Sequence, residues 1–219
     1  MQASLIWVLI RKEIMLEWRQ YSALSGILLY LVSTVFLTYL AFDGLISEKS
    51  WNALFWIIML FAAINAILKS FIQEHENRHL YYYTIVSPRY VIIAKILYNA
   101  LLLMLLAVAG FGIFVAFMGN PSESLPVFFI NMLFGMMGFS SALCLVSAIA
   151  ARVRNNFTLM AVLGFPLVLP LLLLLIRVSG QSIYGTDLKS VAPDLLVILL
   201  LISITIVLSN ILFPYIWKE

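Results

Sequence analysis

Ionisable side chains are scarce in this chain of 219 residues. Charged residues make up 11%, there are two histidines, and there is one cysteine. Soluble domains carry roughly 25% charged residues, so a water-facing globule is excluded. The lone Cys144 excludes a disulfide within the chain. No Asp, Glu or His stands in the middle of a long apolar run. That argues against a proton-coupled carrier or an ion pump, whose paths are lined by such groups. No G-x-x-x-x-G-K-[ST] phosphate loop occurs, so the chain does not itself cradle a nucleotide. At the N-terminus the apolar run precedes the charges and no small-residue cleavage site follows, a pattern that predicts no cleavable signal peptide.

What fills the chain is hydrocarbon: 64% of its residues are hydrophobic. A helix needs about 20 apolar residues to cross the ~30 Å core of a bilayer. Six stretches are expected to span: Ser22–Phe42, Trp51–Leu68, Val91–Met118, Val127–Ala150, Thr158–Ile176 and Leu195–Trp217. Each is expected to be helical, because an open strand in lipid leaves its backbone groups unpaired. Arg11, Lys12, Arg19, Lys69, Arg78, Arg89, Lys95, Arg152, Arg154 and Lys218 then share one side. Lys49, Arg177 and Lys189 share the other. Positive charge is retained inside, so both termini are expected in the cytoplasm. Trp51, Tyr21, Tyr90 and Trp217 stand at span ends, where aromatic rings favour the interface. The net charge of +3 is thereby accounted for by topology, and nothing suggests a nucleic-acid groove.

Residues 1–21 are too charged to span. Trp7, Ile10, Ile14, Trp18 and Tyr21 recur at helical spacing, with Arg11, Glu13, Glu17 and Gln20 mostly off that stripe. The pattern predicts an amphipathic helix lying in the interface plane. It could be an elbow bracing the spans against a cytoplasmic partner, or a simple anchor.

The longest connector on the positive side, Lys69–Tyr90, contains His75-Glu76-Asn77-Arg78-His79, which fits H-E-x-x-H. Two His at i and i+4 on a helix can bind zinc, with the intervening Glu as general base. A catalytic site needs a third protein ligand, and the downstream acids Glu123, Asp187 and Asp194 fall on the opposite side. An intramembrane metalloprotease is therefore the alternative reading. In the favoured one, Glu74, Glu76 and Arg78 interleave with Phe71, Ile72, Leu80 and the run Tyr81-Tyr82-Tyr83 in a short amphipathic helix across the cytoplasmic face. Ser87-Pro88 ends it, since Pro disfavours helix in the residue before it.

Within the spans, Lys95 lies close enough to an end to snorkel. Gly135, Gly138, Ser140, Ser141 and Ala142 permit close helix approach. Pro166 and Pro170 remove two amide donors and are expected to bend their helix, as a structural kink or as a gate. The polar stretch Arg177–Pro193 reads as the longest external loop, with room for a short re-entrant or surface helix.

Two blocks carry a resemblance. One runs Phe71-Ile72-Gln73-Glu74 through Leu80, Ser87-Pro88 and Ile93-Ala94-Lys95. The other runs Leu133-Phe134-Gly135 through Arg152-Val153-Arg154 to Phe165-Pro166-Leu167-Val168-Leu169-Pro170-Leu171-Leu172. Nearly end to end, the chain resembles the haem-exporter B subunit of bacterial cytochrome c maturation (the CcmB family), an ABC-2 type membrane subunit. Phe165 stands where that family's Leu-Pro-Leu-x-x-Pro-Leu-Leu pattern begins with Leu. Members often carry Gly at the position of Arg78 and Glu at that of Tyr81.

The resemblance implies one all-α transmembrane domain over residues 1–219. Residues 1–21 would form an elbow helix, 22–68 the first two spans, 69–90 a cytoplasmic coupling loop and 91–217 the last four spans. It implies a separate ABC ATPase subunit that binds ATP and Mg and docks on Glu74, Glu76, Arg78, Tyr81 and Tyr82. A haem-handling membrane subunit would be a second partner and a second copy of the chain a candidate third. This chain would bind no cofactor of its own, with haem as the candidate substrate.

Overall fold

The computed structural model describes residues 2–18, 21–72, 87–150 and 156–218. Seven helices account for nearly all of them: α1 Gln2–Trp18, α2 Tyr21–Ala41, α3 Glu48–Ile72, α4 Pro88–Met118, α5 Leu125–Ala150, α6 Asn156–Ile183 and α7 Leu188–Lys218. No strand occurs among the described residues. This is the outcome that apolar surroundings dictate, since a helix satisfies its own backbone. α3 to α7 each contain a segment long and apolar enough to cross a membrane. The apolar stretch Ser25–Ala41 of α2 is shorter.

α5 is the central helix. It packs against α3, α4, α6 and α7, and residues 138–148 are all buried. Its small residues make this possible. A Cβ added to Gly135 would stand 2.7 Å from the Trp56 ring, and one added to Gly138 would stand 2.6 Å from Leu171 Cδ2. Where lipid is as apolar as the side chains, such close packing and interhelical hydrogen bonds hold the bundle together. Two hydrogen bonds reinforce it: Ser140 Oγ donates to the Ile96 carbonyl at 2.7 Å, and the Ser141 and Thr205 hydroxyls meet at 2.7 Å.

The two ends of the bundle differ. At the tip end lie the α2–α3, α4–α5 and α6–α7 connections. Here Trp51, Phe55, Phe111, Phe114 and Phe128 form an aromatic cluster, with Trp51 stacked on Phe55 at 5.6 Å and edge-on to Phe114 at 5.4 Å. Trp51 is therefore part of the core, where the sequence pattern placed it at the interface. At the other end, α1 packs across α4 and α2.

The face that α1 turns inward also differs from the expected stripe. Leu9, Ile10 and Glu13 are buried, whereas Trp7 is 65% exposed and Ile14 is exposed as well. The Trp7–Ile14 side is the outward side of this helix. An apolar face turned to lipid and an apolar face turned to protein look alike in sequence.

Helix ends run beyond the expected spans. α3 continues to Ile72 and α4 begins at Pro88, so the Lys69–Tyr90 connector is shorter than its sequence reading. The expected loop Arg177–Pro193 is not a loop. α6 continues to Ile183, α7 starts at Leu188, and only residues 184–187 are non-helical. Gly185 makes that reversal with φ 69. A side chain there would be strained, and its Cβ would meet Glu123 Oε2 at 2.7 Å.

Candidate functional site

The residues expected to meet a partner, Glu74, Glu76, Arg78, Tyr81 and Tyr82, lie outside the described residues, as do His75 and His79. The flanks of that segment are described. α4 starts with Pro88 at its first turn, after Ser87 in an extended conformation with ψ 133. Proline suits this position because its φ is preset and the missing N–H would be unpaired in any case. The segment thus joins two helix ends at the α1 end of the bundle.

Two turns into α4 stands Lys95. Its side chain does not snorkel: the residue is 1% exposed. Its Nζ lies 3.7 Å from Glu13 Oε1 of α1, and Glu13 is itself 8% exposed. The same carboxylate oxygen lies 3.1 Å from Lys12 Nζ. One turn further along α4, more buried polar groups pair. Asn99 Nδ2 donates to Cys144 Sγ at 3.4 Å, and Ser140 approaches Cys144 at 4.0 Å. Charges inside an apolar bundle persist when they pair, and here the pair joins α1 to α4.

α6 carries the second group of expected residues. Pro166 and Pro170 both lie inside this continuous helix, and both are exposed. On the tip side of them, α6 is gripped. Asn131 Nδ2 donates to the Leu175 carbonyl at 2.9 Å and Asn52 Nδ2 to the Ile176 carbonyl at 2.7 Å. Trp56 Nε1 donates to Ser179 Oγ at 2.7 Å. Beyond, the Ser124 amide donates to the Ser182 carbonyl at 3.0 Å, seating the α6–α7 reversal on the α4–α5 connection. Arg177 and Asp194 pair across the hairpin at 3.3 Å. With Arg177 largely exposed, that pair contributes only about 0–1 kcal/mol. On the other side of the prolines, a Cβ on Gly164 would find its nearest neighbour, Val146 Cγ1, at 3.9 Å.

Sequence reasoning did not foresee the Glu13–Lys95 pair or the Asn52–Trp56–Ser179 network. The available signal for the first was one basic residue following an apolar run in a span, with an acid on a helix able to cover it. The second joins residues more than a hundred positions apart, and no local pattern marks it. Among the described residues no group of three or more His, Cys, Asp or Glu side chains could hold a metal ion.

A family model described as CcmB protein matches residues 4–214, nearly the whole chain. No match was found among curated proteins.

Proposed function

The chain belongs to the CcmB family, and from that premise we propose how its helices couple ATP hydrolysis on a partner to haem export. The family makes it a non-catalytic, multi-pass subunit of the haem-exporting ABC transporter of cytochrome c maturation in the inner membrane.

In the proposed reading, residues 1–219 form one transmembrane domain with α2 as the sixth span and both termini in the cytoplasm. The α3–α4 connector, residues 69–90 with Glu74, Glu76, Arg78, Tyr81 and Tyr82, is the dock of the ATPase subunit, which binds ATP and Mg. Closure of the ATPase pushes on the connector and tilts the start of α4. α6 yields at Pro166 and Pro170, below the point where Asn52 and Asn131 hold it. Haem is the substrate, passed on with a haem-handling membrane subunit, and a second copy of the chain completes the exporter.

The observation that carries this reading is the contrast between the ends of the bundle. The tip end is tied by hydrogen bonds at Leu175, Ile176, Ser179 and Ser182. At the α1 end, a buried ion pair joins α1 to the first turns of α4. A push at the α1 end then bends α6 against a fixed tip. The test is reconstitution of the chain with its ATPase and haem-handling partners in lipid. Haem should reach an acceptor outside only with ATP, and an ATPase disabled in hydrolysis should bind the complex without delivering haem. Delivery that continues without ATP would overturn the reading.

A further inference from the structure

We infer that Glu13 and Lys95 tether α1 to the start of α4, so that the two helices move as one body. The inference rests on the coupling reading above only for the direction of the push. The tether itself is a property of this chain.

Three observations support it. Lys95 and Glu13 are both buried, with Nζ and Oε1 3.7 Å apart. Glu13 lies on the inward face of α1, one turn beyond Leu9 and Ile10, whereas Trp7 and Val8 face outward. The contact also falls where α1 crosses α4, two turns after the residues that follow the connector.

Burying two charges costs desolvation, and a well-packed apolar pair often serves stability equally well. What the ion pair adds is a directional tie. Apolar faces in lipid have no hydrophobic drive to stay together, since lipid tails are as apolar as they are, so packing alone would hold this crossing. A carboxylate facing Lys95 has no such substitute. Lys12 also reaches Glu13, at 3.1 Å, but it belongs to α1 and ties that helix to nothing else through this contact. Glu13 and Lys95 are thus positioning residues: they transmit movement and touch no substrate.

The test uses the assembled complex in lipid nanodiscs, with spin labels at Val8 and Leu101 in a Cys144→Ala background. Val8 on α1 is 65% exposed and Leu101 on α4 is 57% exposed. The parent should give one narrow label-to-label distance that ATP does not change. Glu13→Leu with Lys95→Met should assemble yet broaden that distance, and haem delivered per ATP should fall about tenfold. The exchanged pair, Glu13→Lys with Lys95→Glu, should restore the narrow distance and most of the delivery, which a purely structural role would not require. If the apolar pair fails to insert, Glu13→Gln carries the same expectation of a broadened distance. A narrow distance and parental delivery in the variants lacking the charges would overturn the tether. Failure of the ATPase to associate with the parent would sink the coupling reading instead, while the distances in the isolated chain still decide on the tether.

Discussion

Asn52 of α3 grips one turn of α6 with both ends of its amide: Nδ2 donates to the Ile176 carbonyl at 2.7 Å, and Oδ1 lies 2.6 Å from Ser179 Oγ. Ser179 Oγ also lies 2.6 Å from the Leu175 carbonyl. Its single hydrogen serves one acceptor at a time, while its lone pairs receive Trp56 Nε1. Ser179 is therefore the node through which α3 fixes the tip half of α6.

Removing the node should cost stability. Ser179→Ala leaves the Trp56 N–H buried without its acceptor, a loss of about 1–3 kcal/mol. Ser190→Ala, at an exposed site whose hydroxyl bonds only the Asp187 carbonyl nearby, should be close to neutral. Unfolding in mixed micelles by a denaturing detergent compares the two. Equal midpoints would mean that the network contributes nothing.

Close approach of α5 makes a second contrast. Gly135→Ala drives a methyl into the Trp56 ring, which cannot swing away without breaking its bond to Ser179. Overpacking of this kind costs about 1–3 kcal/mol. Gly164→Ala finds its nearest neighbour at 3.9 Å, so it should gain about 0.5–1 kcal/mol from helix preference alone. The same unfolding assay should move the two variants in opposite directions.

Much of the fold was legible because apolar runs of spanning length have few alternatives in lipid. Gly135 and Gly138 marked span four for close helix approach, though not for its central place. What stayed hidden was long-range pairing. Lys95 read as snorkelling because its partner Glu13 sits on another helix, and α1 read as a single apolar stripe through Trp7, Ile10 and Ile14, with no mark that Leu9 and Glu13 meet protein. Arg177–Pro193 read as a loop because its residues are polar. The structure uses that polarity inside a helical hairpin: Ser179 and Ser182 are buried and bonded, and Arg177 meets Asp194 across the turn. The expected dock, by contrast, rests on sequence alone.

That dock has its own test. Docked helices concentrate binding in aromatic and Arg anchors. Replacing Tyr81 and Tyr82 with Ala should weaken ATPase association by about 2 kcal/mol or more, more than about tenfold in affinity, with membrane insertion intact. Co-purification of the ATPase at the parental yield would refute the dock. Loss of the variant from the membrane would make the tyrosines lipid anchors.

The His75–His79 motif is expected to hold no metal. Purified parent protein and the double variant His75→Ala with His79→Ala should both contain zinc near zero by elemental analysis. One zinc per chain in the parent, lost in the variant, would reopen the metalloprotease reading through Glu76.

The proline pair provides a prediction in which stability and function part ways. Pro166 and Pro170 leave two backbone carbonyls of α6 without their usual donors, and a proline inside a helix costs up to about 3 kcal/mol relative to alanine. Both side chains are exposed, so replacing them removes no core packing. Pro166→Ala and Pro170→Ala should therefore each raise the unfolding midpoint. If the prolines merely shape the helix, haem delivery per ATP should stay level or fall only with assembly. If α6 bends there against the fixed turn at Asn52 and Ser179, the straightened helix should assemble and bind the ATPase normally yet deliver less haem per ATP. A stabilised variant with undiminished delivery would remove the gate from the mechanism and leave the prolines as a kink.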